Sequence, residues 1–409
     1  MKKTLVLSLA LACACGSSSS SHNQNPNCQP GTATTLNASC DPGFTKTAPN
    51  RPGTIEVTFS GEKLGETGLP FTGNPSDTNF VDGWSMTFDE ILVVLGNFRL
   101  APGATQSPDQ RVVGNPVATM AGPYVVDMHK PSTFGIGADG IEPAGSIFKW
   151  DTDDAGNAFD NNTRYSFSYD VLRAKYPATQ VNLTADQFAD YSLMVQNGWT
   201  KLYRGTATFT GSGTPYPDPA VQAKFAALPT TIHFMFGWND AGSHINCNNP
   251  DYGTGQASRG IQPDSNGAKV AQVTMHVDHV FWDILKEHTD VKLRFDPIAA
   301  WAPQNTTALN PFDLRTLATK PLQTTFSDGT TPLPDRGPQQ TTLGGGYTCG
   351  GTRPCAQVTP NLNGVPASNI PGLADFMAFS AQSQMHMGAD GLCYDVGQNA
   401  ADPFFVPGI

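Results

Sequence analysis

The sequence predicts a mainly β protein: an antiparallel β-sandwich with long loops, one or two short helices and an irregular C-terminal extension. Three observations carry that prediction. From about residue 51 to 300, runs rich in β-branched and aromatic residues recur, and several alternate apolar with polar side chains as half-buried strands do. The runs are short and separated by Gly, Pro, Asn and Asp, in a chain holding 41 Gly and 33 Pro. Helical signals are confined to two stretches, only the first of which carries both a start and a stop. Many short strands with few helices pack most naturally as two sheets face to face.

Taken in order, the expected strands are TIEVTFS (54–60), WSMTFDEILVVLGNFRL (84–100), PYVVDM (123–128), TRYSFSYDVL (163–172), TKLYRGTATF (200–209), TTIHFMFGW (230–238) and KVAQVTMHVDHVFW (269–282). One helix is expected from Thr184, where Thr184 and Gln187 match a capping box and Asn197-Gly198 supplies a stop. From 301 to 409 the chain is too rich in Pro, Gly and Thr for regular structure. Within that extension, GLADFMAFSAQSQ (372–384) is expected to form a short helix that docks on the sandwich.

The first residues place the chain in a compartment. MKKTLVLSLALACACG has two lysines, a short apolar run and small residues before cysteine, the layout of a lipoprotein signal peptide. The apolar run is too short to span a bilayer. Of the 8 cysteines, cleavage after residue 14 would remove Cys13, lipidate Cys15 and leave an even number for pairing. Residues 15–50 then read as a Ser-rich tether with a local disulfide, and the body is expected to be anchored by lipid to the bacterial envelope, most naturally the outer membrane. In an oxidising compartment the most economical pairing is Cys28–Cys40, Cys349–Cys355 and Cys247–Cys393, although six cysteines allow 15 connectivities. Loss of Lys2 and Lys3 takes the formal charge from −11 to −13. That charge, with no basic patch, sets nucleic-acid binding aside.

The chemistry concentrates in VTMHVDHVFWD (273–283), which holds two of the chain's 8 histidines. On a continuous strand His276 and His279 would point apart, because side chains alternate between faces. They converge only if the strand ends near Val277 and a turn follows. In the helical reading of that turn, Asp278 is an N-cap, and His279, Asp283 and Glu287 share one face. His276, His279 and Asp283 would then surround one ion, with Glu287 or His288 nearby. A second regularity is wider: Met128-His129, Met275-His276 and Met385-His386-Met387 pair a thioether with an imidazole. Composition alone predicts on the order of 0.2 such pairs. Imidazole with thioether suits copper ahead of zinc, so Met275, Met385, His386 and Met387 join the candidate ligands. The competing reading is that these methionines are core filler and their neighbours ordinary polar residues. His233 and His244 read as structural, though a Cys247–Cys393 bond would draw the 386 segment towards His244.

The ordered landmarks HFMFGWNDAGSHINC (233–247), VTMHVDHVFWDIL (273–285), LRFDPIAA (293–300) and MHMGADGLC (385–393) resemble those of a group of bacterial lipoproteins with an HxDH-F-W-D segment and a late His and Cys. More remotely, the chain is similar to the methanobactin-associated copper-binding surface proteins. That resemblance implies copper, held by histidines beside an oxidised tryptophan, and makes Trp282 the candidate for oxidation.

Other motifs are weaker. DTDDAGNAFDNN (151–162) imitates a calcium loop, but Ala155 and Asn162 stand where ligands are needed, which leaves a looser calcium site at Asp151, Asp153, Asp154 and Asp160. Ser60-x-x-Lys63 and Ser146-x-x-Lys149 lack the partners of a serine nucleophile. The expectation is therefore an envelope-anchored protein that captures, buffers or delivers a transition metal, with a partner protein in metal handling, and is not an enzyme. The alternatives are a surface adhesion or structural lipoprotein, and a zinc-dependent hydrolase with Glu287 or Asp278 as base.

Overall fold

In the computed structural model the described residues are 53–72, 80, 82–105, 111–129, 145–210, 227–250, 257–266, 268–283, 291, 293–317, 372–388 and 391–397. Cys15, the tether, and the Cys28–Cys40 and Cys349–Cys355 pairings lie outside them, as do Glu287 and His288. No helix among the described residues is long and apolar enough to cross a membrane.

The strands run β1 (Ile55–Ser60), β2 (Trp84–Pro102), β3 (Ala118–Met120), β4 (Tyr124–Asp127), β5 (Gly145–Trp150), β6 (Tyr165–Val171), β7 (Thr179–Gln180), β8 (Lys201–Phe209), β9 (Thr231–Trp238), β10 (Gly242–Ile245), β11 (Asn248–Pro250), β12 (Ala257–Arg259), β13 (Lys269–Met275), β14 (Phe312–Asp313), β15 (Met385–Met387) and β16 (Tyr394–Gly397). Each of the seven expected stretches contains a strand, although the last, expected over 269–282, ends at Met275. A large sheet has the order β14-β9-β8-β2-β6-β10-β16, with β3, β4 and β7 attached through β2. The smaller sheet has the order β15-β13-β1-β5. The molecule is mainly β, with a sandwich-like pairing of these two sheets.

Alternation explains how the sheets meet. Ile55, Val57 and Phe59 on β1 and Ala271, Val273 and Met275 on β13 are buried in the same core as Phe98, Phe167, Tyr203, Phe234 and Phe236 of the large sheet. Aromatic rings lock across the interface: Phe98 meets Phe148 edge-on at 5.0 Å between centroids, and Trp150 meets Phe167 at 6.4 Å. Such pairs contribute about 0.5–1.5 kcal/mol each beyond their burial.

The pairing is mostly antiparallel, with exceptions that sequence patterning does not reveal. β1 runs parallel to β13, from Ile55 opposite Lys269 to Ser60 opposite Thr274. Parallel neighbours need a long crossover, and most of the chain lies between these two strands. The late segment enters both sheets, β15 pairing with β13 and β16 with β10. Cys247 and Cys393 form the expected disulfide, which fastens this segment beside β10.

The helix Gln187–Asn197 covers the outer face of the large sheet, where Tyr191 and Met194 pack with Leu92, Val94 and Leu202. It stops at Gly198 in a left-handed conformation, as the sequence predicts. Half of the expected capping box forms: the Thr184 N–H donates to Gln187 Oε1 at 2.8 Å, while Gln187 Nε2 donates to Asp127 Oδ2 at 2.7 Å. Under this helix lies a charged cluster. Arg204 on β8 meets Asp190 of the helix through Nε at 2.7 Å and Glu90 on β2 at 3.4 Å. Burial, followed by the neighbouring Asp190 carboxylate, pushes the Glu90 carboxyl up to about 10. It is therefore neutral at pH 7.

A sign follows from that shift. A carboxyl whose folded value lies above its unfolded value stabilises the fold fully below the unfolded value, and that stability is lost as pH rises through the folded one. Glu90→Gln keeps the neutral shape, so its stability relative to wild type is expected to improve progressively from about pH 5 to about pH 9. The ceiling is about 1.4 kcal/mol per pH unit. Urea unfolding at pH 5, 7 and 9 checks this, and a pH-independent difference would contradict it.

Candidate metal centre

The site forms where three strands of the small sheet end together. Thr274 on β13 lies opposite Ser60 on β1 and opposite His386 on β15. β13 stops at Met275, and residues 279–281 form one 3-10 turn. This is the strand end and turn that convergence of His276 with His279 requires.

One ring nitrogen each of His276, His279 and His386 lies within 4.8 Å of those of the other two. Among the described residues this is the one grouping of three or more His, Cys, Asp or Glu side chains with that geometry. His276 stacks on His386 with centroids 4.1 Å apart, and His279 stands edge-on to both. Trp282 packs against the His279 ring at 3.7 Å between centroids. The site is enclosed: His279 and His386 are buried and His276 is about a quarter exposed.

Hydrogen-bond partners dictate which nitrogen carries the proton in two of the rings, and a neighbouring carboxylate biases the third. His386 Nε2 lies 2.9 Å from the Ser383 carbonyl, an acceptor only, so Nε2 donates. The Ser383 hydroxyl donates to the Ser380 carbonyl at 3.0 Å, so it accepts from His279 Nδ1 at 3.0 Å. Glu62 Oε1 stands 3.2 Å from His276 Nε2, close enough to pair electrostatically but not aligned as a hydrogen bond, and its negative charge favours the proton on that nitrogen. These assignments turn His276 Nδ1, His279 Nε2 and His386 Nδ1 into lone-pair donors. His276 Nδ1 and His279 Nε2 face each other at 3.3 Å, a contact that calls for a shared proton or a cation. His386 Nδ1 is buried with no hydrogen-bond partner among the described residues. Leaving such an atom unsatisfied costs about 1–3 kcal/mol.

Burial is the main influence that keeps the His279 and His386 rings neutral. It lowers His386 to about 3, with the His276 ring as the next cause, and it lowers His279 far below the ordinary histidine value, followed by the His276 and His386 rings. Neutral imidazole is the form that ligates metal.

The structure separates the other candidate ligands from this group. Asp283 does not join it. Its carboxylate accepts from Arg294 Nε at 2.9 Å, because the turn at 279–281 ends at Trp282, whose backbone is extended, and the helical face that would align Asp283 with His279 never forms. Nor does Asp278 act as a side-chain cap: it accepts from Trp282 Nε1 at 3.3 Å. Met275, Met385 and Met387 are buried in the hydrophobic core. On β15 side chains alternate, so the two methionines face the core and His386 faces the opposite way. Met275 Sδ accepts from the Tyr203 hydroxyl at 3.9 Å. The observed grouping is therefore all-imidazole.

His129 lies outside it, its Nδ1 2.7 Å from the carbonyl of Gly65 in the short helix Glu62–Thr67. His233 Nδ1 pairs with the Thr206 hydroxyl, and His244 stacks on Tyr169 at 4.8 Å. The disulfide does bring His244 near, since the Tyr169 hydroxyl donates to the His386 carbonyl at 3.2 Å. At the suggested calcium loop, Asp153 accepts from the backbones of Ala155 and Asn157, and Asp160 from Asn162 and Thr163. Asp151 accepts from Thr54 and Asp154 from Thr119. These carboxylates cap separate turns and contacts.

Patterning overlooked several residues that set this geometry: Glu62, Ser383, Gln384 and Lys201. Lys201 is wholly buried and donates to Asp240, to the Ala381 carbonyl at 3.0 Å and to Gln384 Oε1 at 3.3 Å. Gln384 in turn accepts from the His276 N–H through its carbonyl at 2.9 Å. No family model, curated protein or solved structure matches the chain.

Proposed function

We propose that the protein binds a transition-metal ion through His276 Nδ1, His279 Nε2 and His386 Nδ1, and that it works in metal capture, buffering or delivery rather than in catalysis. The observation that carries this reading is the cluster itself: one ring nitrogen of each histidine lies within 4.8 Å of the others, His276 Nδ1 and His279 Nε2 are 3.3 Å apart, and His386 Nδ1 is buried with no hydrogen-bond partner among the described residues. Each ring is also held at its other nitrogen by an oxygen, the supporting shell usual for metal-binding histidines.

Three imidazoles without a thiolate or carboxylate ligand favour copper over zinc, since copper stands highest among the divalent ions for nitrogen ligands. The lipoprotein-like leader suits a role at the cell envelope, where a partner protein would receive or supply the ion. A zinc hydrolase is the weaker reading. It needs an open cleft and a base, whereas the apolar pocket beside the turn is lined by Val280, Phe281, Phe376 and Met377 and by none of the three histidines. Asp278, the described candidate base, is engaged with the Trp282 indole.

The test is metal content by mass spectrometry on the full chain, purified without a histidine-rich tag, beside a His276→Ala/His279→Ala variant. Near-stoichiometric copper that disappears in the variant is expected. A wild-type protein that takes up neither Cu(I), Cu(II) nor Zn(II) on titration would overturn the proposal and favour an adhesive or structural role.

A further inference from the structure

We infer that Glu62 is a positioning residue for this site, holding the His276 ring in the tautomer that turns Nδ1 towards His279 and His386. The inference rests on the metal-binding reading above, but it stands on separate observations. The first is register. β1 and β13 run parallel with Ser60 opposite Thr274, so Glu62 and His276 each follow two residues beyond a matched pair, at the same end of adjacent strands. His386 is matched to Thr274 from the other side. One sheet edge thus delivers the carboxylate and two of the imidazoles to one place.

The second observation is the conformation of the chain at Glu62. Its φ is +57°, in the left-handed region that a glutamate rarely occupies. Strain of this kind persists where the surroundings enforce it, and it concentrates at functional sites. Here the enforcement is visible. A Cβ at Gly61 would lie 2.1 Å from the Met128 carbonyl oxygen, so the chain must pass this point as glycine, and the Ser60 hydroxyl accepts from the Glu62 N–H at 3.0 Å. His129 braces the same helix through the Gly65 carbonyl. Glycine or asparagine at 62 would relax the backbone, yet a glutamate stands there with its carboxylate 3.2 Å from His276 Nε2.

The third is chemistry. A histidine that ligates through one nitrogen is oriented by what its other nitrogen meets, and a carboxylate in that place fixes the tautomer and raises ligand basicity. Of the three rings, His279 and His386 are held by Ser383, whereas His276 is the more exposed ring and has Glu62. Ring rotation at this position would carry Nδ1 away from the cluster.

The experiment uses the full chain in three variants, Glu62→Leu, Glu62→Gly and Glu62→Gln. Long-range nitrogen–proton correlation spectra of the metal-free protein report the tautomer of His276, and anaerobic Cu(I) titration against a chromogenic chelator reports affinity. Wild type is expected to show the Nε2–H tautomer. Leu and Gly should lose that preference and bind Cu(I) about 10–100-fold more weakly. Gln retains a carbonyl acceptor and should keep the tautomer and recover most of the affinity. The Gly variant should melt no lower than wild type when metal-free, because glycine adopts the left-handed conformation without strain, which separates a loss of binding from a loss of fold. Unchanged tautomer and affinity in Leu and Gly would overturn the role of Glu62 while leaving the metal site intact. If wild type itself binds no copper, the metal reading fails, and the tautomer spectra still decide whether Glu62 orients the ring.

Discussion

Replacing His386 with alanine is expected to weaken copper or zinc binding by about 10³-fold or more while leaving a folded protein. The size follows from ligand count. Structural sites in small metal-binding domains bind with about 10–16 kcal/mol, so a one-third share of the donors is worth about 4 kcal/mol, and each 1.4 kcal/mol is tenfold in affinity. The fold should tolerate the change, because His386 faces away from the core methionines on its own strand, and the strand is held by backbone pairing to β13. Its ring carries a buried, unsatisfied nitrogen, so truncation also removes a small destabilising feature of the metal-free protein. Isothermal titration with Zn(II) and competition titration with Cu(I), beside a thermal melt of the metal-free variant, are the measurements. Equal affinity in wild type and variant would show that this nitrogen takes no part in binding.

Lys201→Met is expected to give the largest loss of stability, about 3–5 kcal/mol, seen as a fall in melting temperature of about 10 °C. Lys201 is wholly buried and paired with Asp240, which also accepts from the Thr200 hydroxyl. Removing the ammonium strands a carboxylate in the interior, and an uncompensated buried charge is among the costliest single changes. The damage should reach the site. The same ammonium holds the Ala381 carbonyl and the Gln384 side chain, and the Gln384 carbonyl receives the His276 N–H. Lys201→Met should therefore weaken metal binding as well as the fold. The double variant Lys201→Met/Asp240→Leu removes both charges and should recover much of the stability, since a buried pair replaced by apolar side chains is often close to neutral. A single variant that melts within a degree or two of wild type would refute the argument.

The strands were legible because alternation reports a sheet with one face in the core: Ile55, Val57 and Phe59 point inward together on β1, as their spacing requires. The end of β13 was legible for a different reason. Two histidines three apart cannot share a strand face, so convergence demanded a turn between them. His386 was singled out by the pairing of methionine with histidine, but the pairing misled about the methionines. Adjacent residues on a strand face opposite ways, so a Met-His-Met strand that offers its imidazole to the site commits both thioethers to the core. Asp283 was lost because helical spacing was extended beyond a turn that lasts three residues.

The sequence by itself determined the mainly β class, seven of the sixteen described strands and two of the three imidazoles as a local pair, and it offered Cys247–Cys393 as the most economical pairing. Tertiary structure alone decided what those imidazoles can do. The direction of each lone pair depends on the oxygen that meets the opposite ring nitrogen, and those oxygens come from elsewhere: Glu62 from the end of β1 for His276, and Ser383 from the segment before β15 for His279. Spacing along the chain carries no information about contacts made across one or two hundred residues, because only the sheet order that places β1 and β15 on either side of β13 brings those partners within reach.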